Sequence, residues 1–281
     1  MIKRILVALD GSAASLAALL QSVSWAVSLE AQLRAVFVED QQRFLYYPAA
    51  ASFEGGMVLP VPLPGDKLQA EEAKVKEEGR AIRAAFDKAI QGQRVQPDFL
   101  IERGDVNAIL VREARAADLV VMGKRGQFEP PESRSAGPTT EALIHDALRP
   151  VLVVPEGART EGPLLVAYDD SKGVQRILPT AVLLAAKRSL AVTVLTVEDK
   201  PERAKAIQDP LRPYFQAHGL TARFVVERGK PAGAIVKAAQ SQSAGLIAMG
   251  AFNRNPVYEL FFGSTTLNVL ERAPCPVLLT A

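Results

Sequence analysis

Two stretches of this sequence combine glycines with hydroxyl residues in a pattern suited to holding an anion. The first is Gly123-Lys124-Arg125-Gly126, a polar stretch, and then Gly137-Pro138-Thr139-Thr140; the second is Gly250-Ala251-Phe252-Asn253, followed further on by Gly263-Ser264-Thr265-Thr266. Glycine lets backbone N–H groups approach a ligand closely, and the unpaired N–H groups at a helix N-terminus, with the positive end of the helix dipole, favour phosphate. The threonine and serine hydroxyls add donors. Pro138 supplies neither a hydroxyl nor an N–H. Asn253 stands where the first stretch has its second glycine, and Asn is among the residues best able to replace glycine at positive φ. Asp10 and Asp169 each follow an aliphatic run. On the residues alone they read as acceptors for turn and helix-start N–H groups.

The elements that must position these residues come from an internal repeat. Ile5-Leu6-Val7-Ala8-Leu9-Asp10-Gly11-Ser12 aligns with Leu164-Leu165-Val166-Ala167-Tyr168-Asp169-Asp170-Ser171 at 5 identities in 8. Val38-Glu39-Asp40 returns as Val197-Glu198-Asp199, Glu102-Arg103-Gly104 as Glu227-Arg228-Gly229, and Met122-Gly123 as Met249-Gly250. Gly137 to Val154 aligns without a gap to Gly263 through Thr280 at 7 identities in 18. The polar Pro/Gly segment 155–163 separates the copies, giving domains at 1–156 and 163–281. In the first copy, apolar runs at Ile5–Leu9, Leu33–Val38, Phe99–Glu102, Leu119–Met122 and Val151–Val154 predict strands. Helical spacing predicts helices after Ser12, through Val75, Ile82, Phe86 and Ile90, around Ile109 and Val111, and over Thr139–Leu148. In the second copy one short helix around Ala204 to His218 is predicted between the second and third strands. Fully apolar strands alternating with helices imply an α/β fold: two tandem Rossmann-like domains, each a five-stranded parallel sheet with helices on both faces. Ligands of such sheets bind beyond the carboxyl ends of the strands where strand order reverses, which directs attention to the loops above.

Composition narrows the classes. At 281 residues with 48% hydrophobic and 23% charged residues, the chain has the balance of about two globular domains. No apolar run approaches the ~20 residues of a membrane span, and Met1 to Leu9 lacks a cleavable signal, so no membrane association and a cytoplasmic location are expected. One cysteine and two histidines leave no disulfide and no His-rich metal site. The net charge of +2 gives no reason to expect nucleic acid as a partner. It divides into 18 Lys and Arg against 21 Asp and Glu in residues 1–158 (net −3), and 15 against 10 in 159–281 (net +5), opposite signs that suit association of the halves.

At the glycine loops the chain resembles the universal stress proteins, in their tandem two-domain form. Members that bind ATP carry Gly-x-x-Gly, nine residues, then Gly-Ser/Thr; the first copy here has ten residues before Gly137, and the second keeps the spacing with Asn253 in place of glycine. The match extends to Gly104-Asp105-Val106, Gly229-Lys230-Pro231 and the ending Ala273-Pro274-Cys275-Pro276-Val277-Leu278. The resemblance implies a fold like that of the adenine nucleotide alpha hydrolases and ATP as cofactor; a Mg²⁺ ion bridging the phosphates is compatible with this, although no carboxylate pair announces one. By carry-over, Asp10 or Asp169 faces adenine or ribose, with Ala8 and Leu9 or Ala167 and Tyr168 beside the ring, and Val38 or Val197 beneath it. Phosphates fall to Met122, Gly123, Arg125, Gly126, Gly137, Thr139 and Thr140, and in the second copy to Met249, Gly250, Asn253, Gly263, Ser264, Thr265 and Thr266. The resemblance also implies pairing of the two domains through their last strands as a pseudo-dimer, with homodimerisation of whole chains open.

Other features have plainer readings. Arg103-Gly104-Asp105 is turn chemistry, Cys275 a small apolar packer, and Lys124 with Arg125 either a phosphate-neutralising or a solvated pair. Residues 48–65, rich in Pro and Gly, exclude regular structure and suggest a lid or an interface. Three classes compete: an ATP-binding regulatory module, a slow ATPase, and a nucleotide-free interaction protein. No P-loop and no catalytic triad or dyad can be assembled, so no catalytic residue is assigned.

Overall fold

The computed structural model describes residues 1–46, 61–127, 137–146, 149–251 and 263–280. Residues 47–60 and Asn253 lie outside them, and with them most of the expected lid and the phosphate role of Asn253. The first copy runs β1 (Arg4–Leu9), α1 (Ala13–Leu29), β2 (Gln32–Asp40), a 3₁₀ turn (Gln41–Phe44), β3 (Leu45–Tyr46), β4 (Val61–Pro62), α2 (Gly65–Ile90), β5 (Gln96–Gly104), α3 (Val106–Ala114), β6 (Leu119–Gly123), α4 (Pro138–Asp146) and β7 (Val151–Val154). The second runs β8 (Leu164–Ala167), α5 (Lys172–Arg188), β9 (Val192–Val197), α6 (Pro201–Gln208), α7 (Leu211–Ala217), β10 (Ala222–Glu227), α8 (Pro231–Ser241), β11 (Leu246–Gly250), α9 (Ser264–Arg272) and β12 (Val277–Thr280).

Two expectations are corrected. Val61–Pro62 pairs antiparallel with Leu45–Tyr46, so part of the Pro-rich stretch is a short strand on a two-residue ladder. The single helix around Ala204 to His218 is two helices, divided at Asp209-Pro210, because a proline supplies no N–H to continue a helix.

Strand order is β10-β9-β8-β11-β12-β7-β6-β1-β2-β5 in one ten-stranded sheet. Each copy contributes five parallel strands, and β12 meets β7 antiparallel with Val277 opposite Val153, Leu278 opposite Leu152 and Leu279 opposite Val151. The two domains thus pair within the chain through their last strands, covering edges that would otherwise be open. All eight residues of β7 and β12 are buried, so the junction is an apolar seam. Polar contacts flank it: Arg188 Nη1 donates to Ser24 Oγ at 3.0 Å, and the Arg159 N–H to the Pro274 carbonyl at 3.1 Å. The expected attraction of opposite net charges is therefore not what the facing strands display.

Alternation along the strands builds two cores. Ile5, Val7 and Leu9 face α1 and α2, and Val166 and Leu278 continue that core under α5. Leu6, Val36, Val120 and Met122 face α3 and α4, continuous with Leu165, Ile247 and Leu279 under α8 and α9. Among the described residues no helix is long and apolar enough to cross a membrane.

Candidate functional site

The ladders define where a ligand fits. β1 and β6 pair only through Val7↔Val121, after which β1 stays with β2 through Leu9↔Phe37, and β6 with β7 through Gly123↔Val154. The two strands diverge at their carboxyl ends, and the same happens between β8 and β11 beyond Val166↔Ala248. A cleft opens at each switch point, of about 450 Å³ in the first copy and about 290 Å³ in the second.

In the first cleft the structure brings together Ala8, Leu9, Asp10, Val38, Met122, Gly123, Arg125, Gly126, Thr139 and Thr140; in the second, Ala167, Tyr168, Asp169, Val197, Met249, Gly250, Gly263, Thr265 and Thr266. Gly137 is buried behind α4, its carbonyl accepting the Glu141 N–H at 3.1 Å, and Ser264 is exposed outside the second cleft. Sequence reasoning missed Val36, Asp40, Gln42, Arg43 and Leu110 in the first cleft, and Leu195, Glu198, Pro231 and Ile235 in the second. Alternation from Val38 and Val197 was the available signal for Val36 and Leu195.

Asp10 organises the first cleft. Its Oδ1 accepts the Ser12 N–H at 2.9 Å and its Oδ2 the Gln127 N–H at 2.7 Å, while Ser12 Oγ donates to the Arg125 carbonyl at 3.3 Å. The turn after β1 is thereby tied to the glycine loop after β6. Ser12 also caps α1 by accepting the Ser15 N–H at 3.1 Å. In the second copy Asp169 Oδ1 accepts the Ser171 N–H at 3.0 Å, and Ser171 caps α5. Both turns need a left-handed residue: Gly11 at φ +84° and Asp170 at φ +63°. Asp170 is held there by the Tyr168 hydroxyl at 3.2 Å and by Gln175 Nε2 at 2.9 Å. Burial, and secondarily the neighbouring Asp170, pushes the Tyr168 phenol up to about 12, so it stays a donor.

Several groups read as phosphate donors are committed elsewhere. Lys124 Nζ donates to the Glu271 carbonyl at 2.7 Å, closing the last turn of α9 across the domain junction. Burial, then the Arg125 charge, lowers the Lys124 pKa. The Thr266 hydroxyl donates to the Ala251 carbonyl at 2.8 Å. What remains open is backbone. Gly263 precedes α9, and among the described residues no side chain caps the N–H groups of its first turn. At α4, Pro138 occupies the first helical position, where its missing N–H breaks no helical bond.

Asp105 caps α3 through the Ala108 N–H at 2.8 Å, as turn chemistry predicts for Arg103-Gly104-Asp105. Cys275 is fully buried, and burial pushes its thiol up to about 12, so it packs as an apolar group. Among the described residues no three His, Cys, Asp or Glu side chains cluster to hold a metal.

A tandem doubly wound α/β protein with a cleft at each switch point is the class that this fold and these clefts define. The sequence pattern of the universal stress protein family matches residues 1–155 and again 162–281, and the chain belongs to that family. Universal stress protein Slr1230 of Synechocystis sp. is 28% identical over 163 residues, covering 57% of this chain and 57% of that protein. A universal stress protein of Thermus aquaticus, from the QAH/OAS sulfhydrylase 3′ region, is 48% identical over 52 residues, 18% of this chain and 38% of its own length. The matches thus span less than two thirds of either relative. Among solved structures, a universal stress protein from Archaeoglobus fulgidus superposes with TM-score 0.72 at 20% identity, over 99% of this chain and 97% of that one. The cytoplasmic domain of a prokaryotic cation chloride cotransporter superposes with TM-score 0.52 at 13% identity, over 99% and 95% of the two chains. Both share the fold.

Proposed function

We propose that this universal stress protein is an ATP-binding module of the stress response, acting in the cytoplasm by binding rather than by turnover. One observation carries the reading: at both switch points an apolar floor adjoins a glycine at the end of the fourth strand and a helix start. The floor is Val36, Val38, Leu110 and Met122 in the first cleft, and Leu195, Val197, Ile235 and Met249 in the second. Such a floor suits a flat base, and the N–H groups of the first turns of α4 and α9 suit phosphates. Cleft volumes of about 450 and 290 Å³ lie close to or within the ~300–1,000 Å³ usual for small-ligand sites. Magnesium would be held chiefly by the phosphates and water, neutralising charge there, since the described residues offer no carboxylate cluster.

A second reading, a nucleotide-free interaction protein, draws on the commitment of Asp10, Lys124 and Thr266 to structural bonds. Heat denaturation of the purified chain, analysis of the released small molecules and calorimetric titration of the emptied protein with ATP separate the two. Release of adenine nucleotide, or saturable binding of up to two ATP per chain, is expected. Absence of both overturns the ATP reading, and rapid ADP release would favour an enzyme.

A further inference from the structure

Alternation along β2 puts Val36, Val38 and Asp40 on the face that lines the first cleft, whereas Glu39 points the other way and pairs with Arg103 at 2.9 Å. The aligned residues of the second copy are Leu195, Val197 and Asp199. The first two line the second cleft, but Asp199 accepts the Gly229 N–H at 3.3 Å and lines a separate groove with Pro201 and Arg228. The ladders explain the difference. β2 pairs with β5 as far as Asp40↔Gly104, whereas β9 and β10 stop at Val197↔Glu227. Two further residues of extended strand carry Asp40 over the first cleft.

Asp40 Oδ1 accepts the Gln42 N–H at 2.9 Å, which fixes the carboxylate at the start of the 3₁₀ turn. Its Oδ2 bonds no other described residue. An ionised carboxylate only accepts hydrogen bonds, so a ligand group beside it must donate, and a phosphate there would be repelled. The polar end of the cleft, at Gly123, Gly126 and the start of α4, is the place for phosphates. Asp40 lines the β2 side of that cleft, so a group bearing vicinal hydroxyls that reaches this side can donate to it. Doubly wound dinucleotide folds use an acid near the end of their second strand for this purpose.

We infer that Asp40 accepts the ribose hydroxyls of the nucleotide in the first cleft, so that the first site selects ribonucleotides; the second does not, because its own acid, Glu198, is taken up by Arg203 at 3.1 Å and by the Lys200 N–H at 3.2 Å. The inference rests on the ATP reading above. Isothermal titration of the full chain with ATP and with 2′-deoxy-ATP tests it on wild type, Asp40→Asn and Asp199→Asn. Wild type should bind 2′-deoxy-ATP about tenfold more weakly than ATP at one site and equally at the other, the loss of one hydrogen bond to a charged group. Asp40→Asn, which keeps an oxygen for the Gln42 N–H, should shrink that ratio to about twofold, and Asp199→Asn should leave it unchanged. Full discrimination in Asp40→Asn, or none in wild type, overturns the inference while leaving the ATP reading intact. If neither nucleotide binds, both fall together.

Discussion

Gly123 and Gly250 end the fourth strand of each copy, and the structure gives them a task that their place in an anion-binding pattern did not suggest. A Cβ on Gly123 would stand 2.7 Å from the Ala14 carbonyl carbon and from the Ser15 nitrogen; on Gly250 it would stand 2.9 Å from the Val174 nitrogen. The first turn of α1, or of α5, rests directly on the strand, and backbone atoms cannot step aside as a flexible side chain can. Gly123→Ala should therefore cost about 1–3 kcal/mol, as overpacking does, with or without nucleotide. Gly65→Ala, at a position where a Cβ meets nothing within 4 Å, should be neutral or stabilising by up to about 1 kcal/mol. Urea midpoints of the two variants check the contrast, and equal midpoints would contradict it. The sequence made the glycines visible but not their neighbours, because Ala14 lies 109 residues from Gly123 along the chain. Lys124 was opaque for the same reason, its acceptor being 147 residues away.

At the scale of elements, legibility followed the periodicity. The apolar runs of β1, β6, β7 and their repeats announced buried parallel strands, and Ser12 announced the cap of α1, a role that its repeat counterpart Ser171 takes at α5. The ends of β2 did not follow the apolar rule. The predicted second strand ended at Val38, yet the β5 partner extends it through Glu39 and Asp40, which is how Asp40 escaped notice as a cleft residue. The spacing before α4 and α9 identified two helix starts correctly but left their donors unranked. Gly263 has φ −60° and ψ 142°, a conformation open to any residue, so Gly263→Val strains no backbone. On the ATP reading its side chain would intrude between the phosphates and the first-turn N–H groups of α9. Nucleotide stoichiometry should fall by one per chain, with the thermal midpoint within a few degrees of wild type. Unchanged stoichiometry would remove α9 from the binding scheme.

The described residues are dominated by one ten-stranded sheet whose two cores each continue through both copies, and this decides how the molecule unfolds. Leu152 and Leu278 belong to the same core as Ile5 and Val166, while Val151, Val153 and Leu279 belong to the core on the opposite face. Removing the second copy would open the edge of β7 and uncover four residues that are now completely buried. A domain boundary that looks like a linker in the sequence, 155–163, therefore joins units whose stabilities are shared. The chain carries a single tryptophan, Trp25, 3% exposed on α1 of the first copy, so its fluorescence reports that copy alone. Far-UV circular dichroism reports both. Equilibrium unfolding in urea should give coincident transitions by the two probes, as a cooperative two-state unit does. Leu278→Ala, in the second copy, should lower the Trp25 midpoint together with the dichroism midpoint, by a stability change of about 2–5 kcal/mol. Trp25 fluorescence unmoved by Leu278→Ala would mean that the seam joins the copies without coupling them.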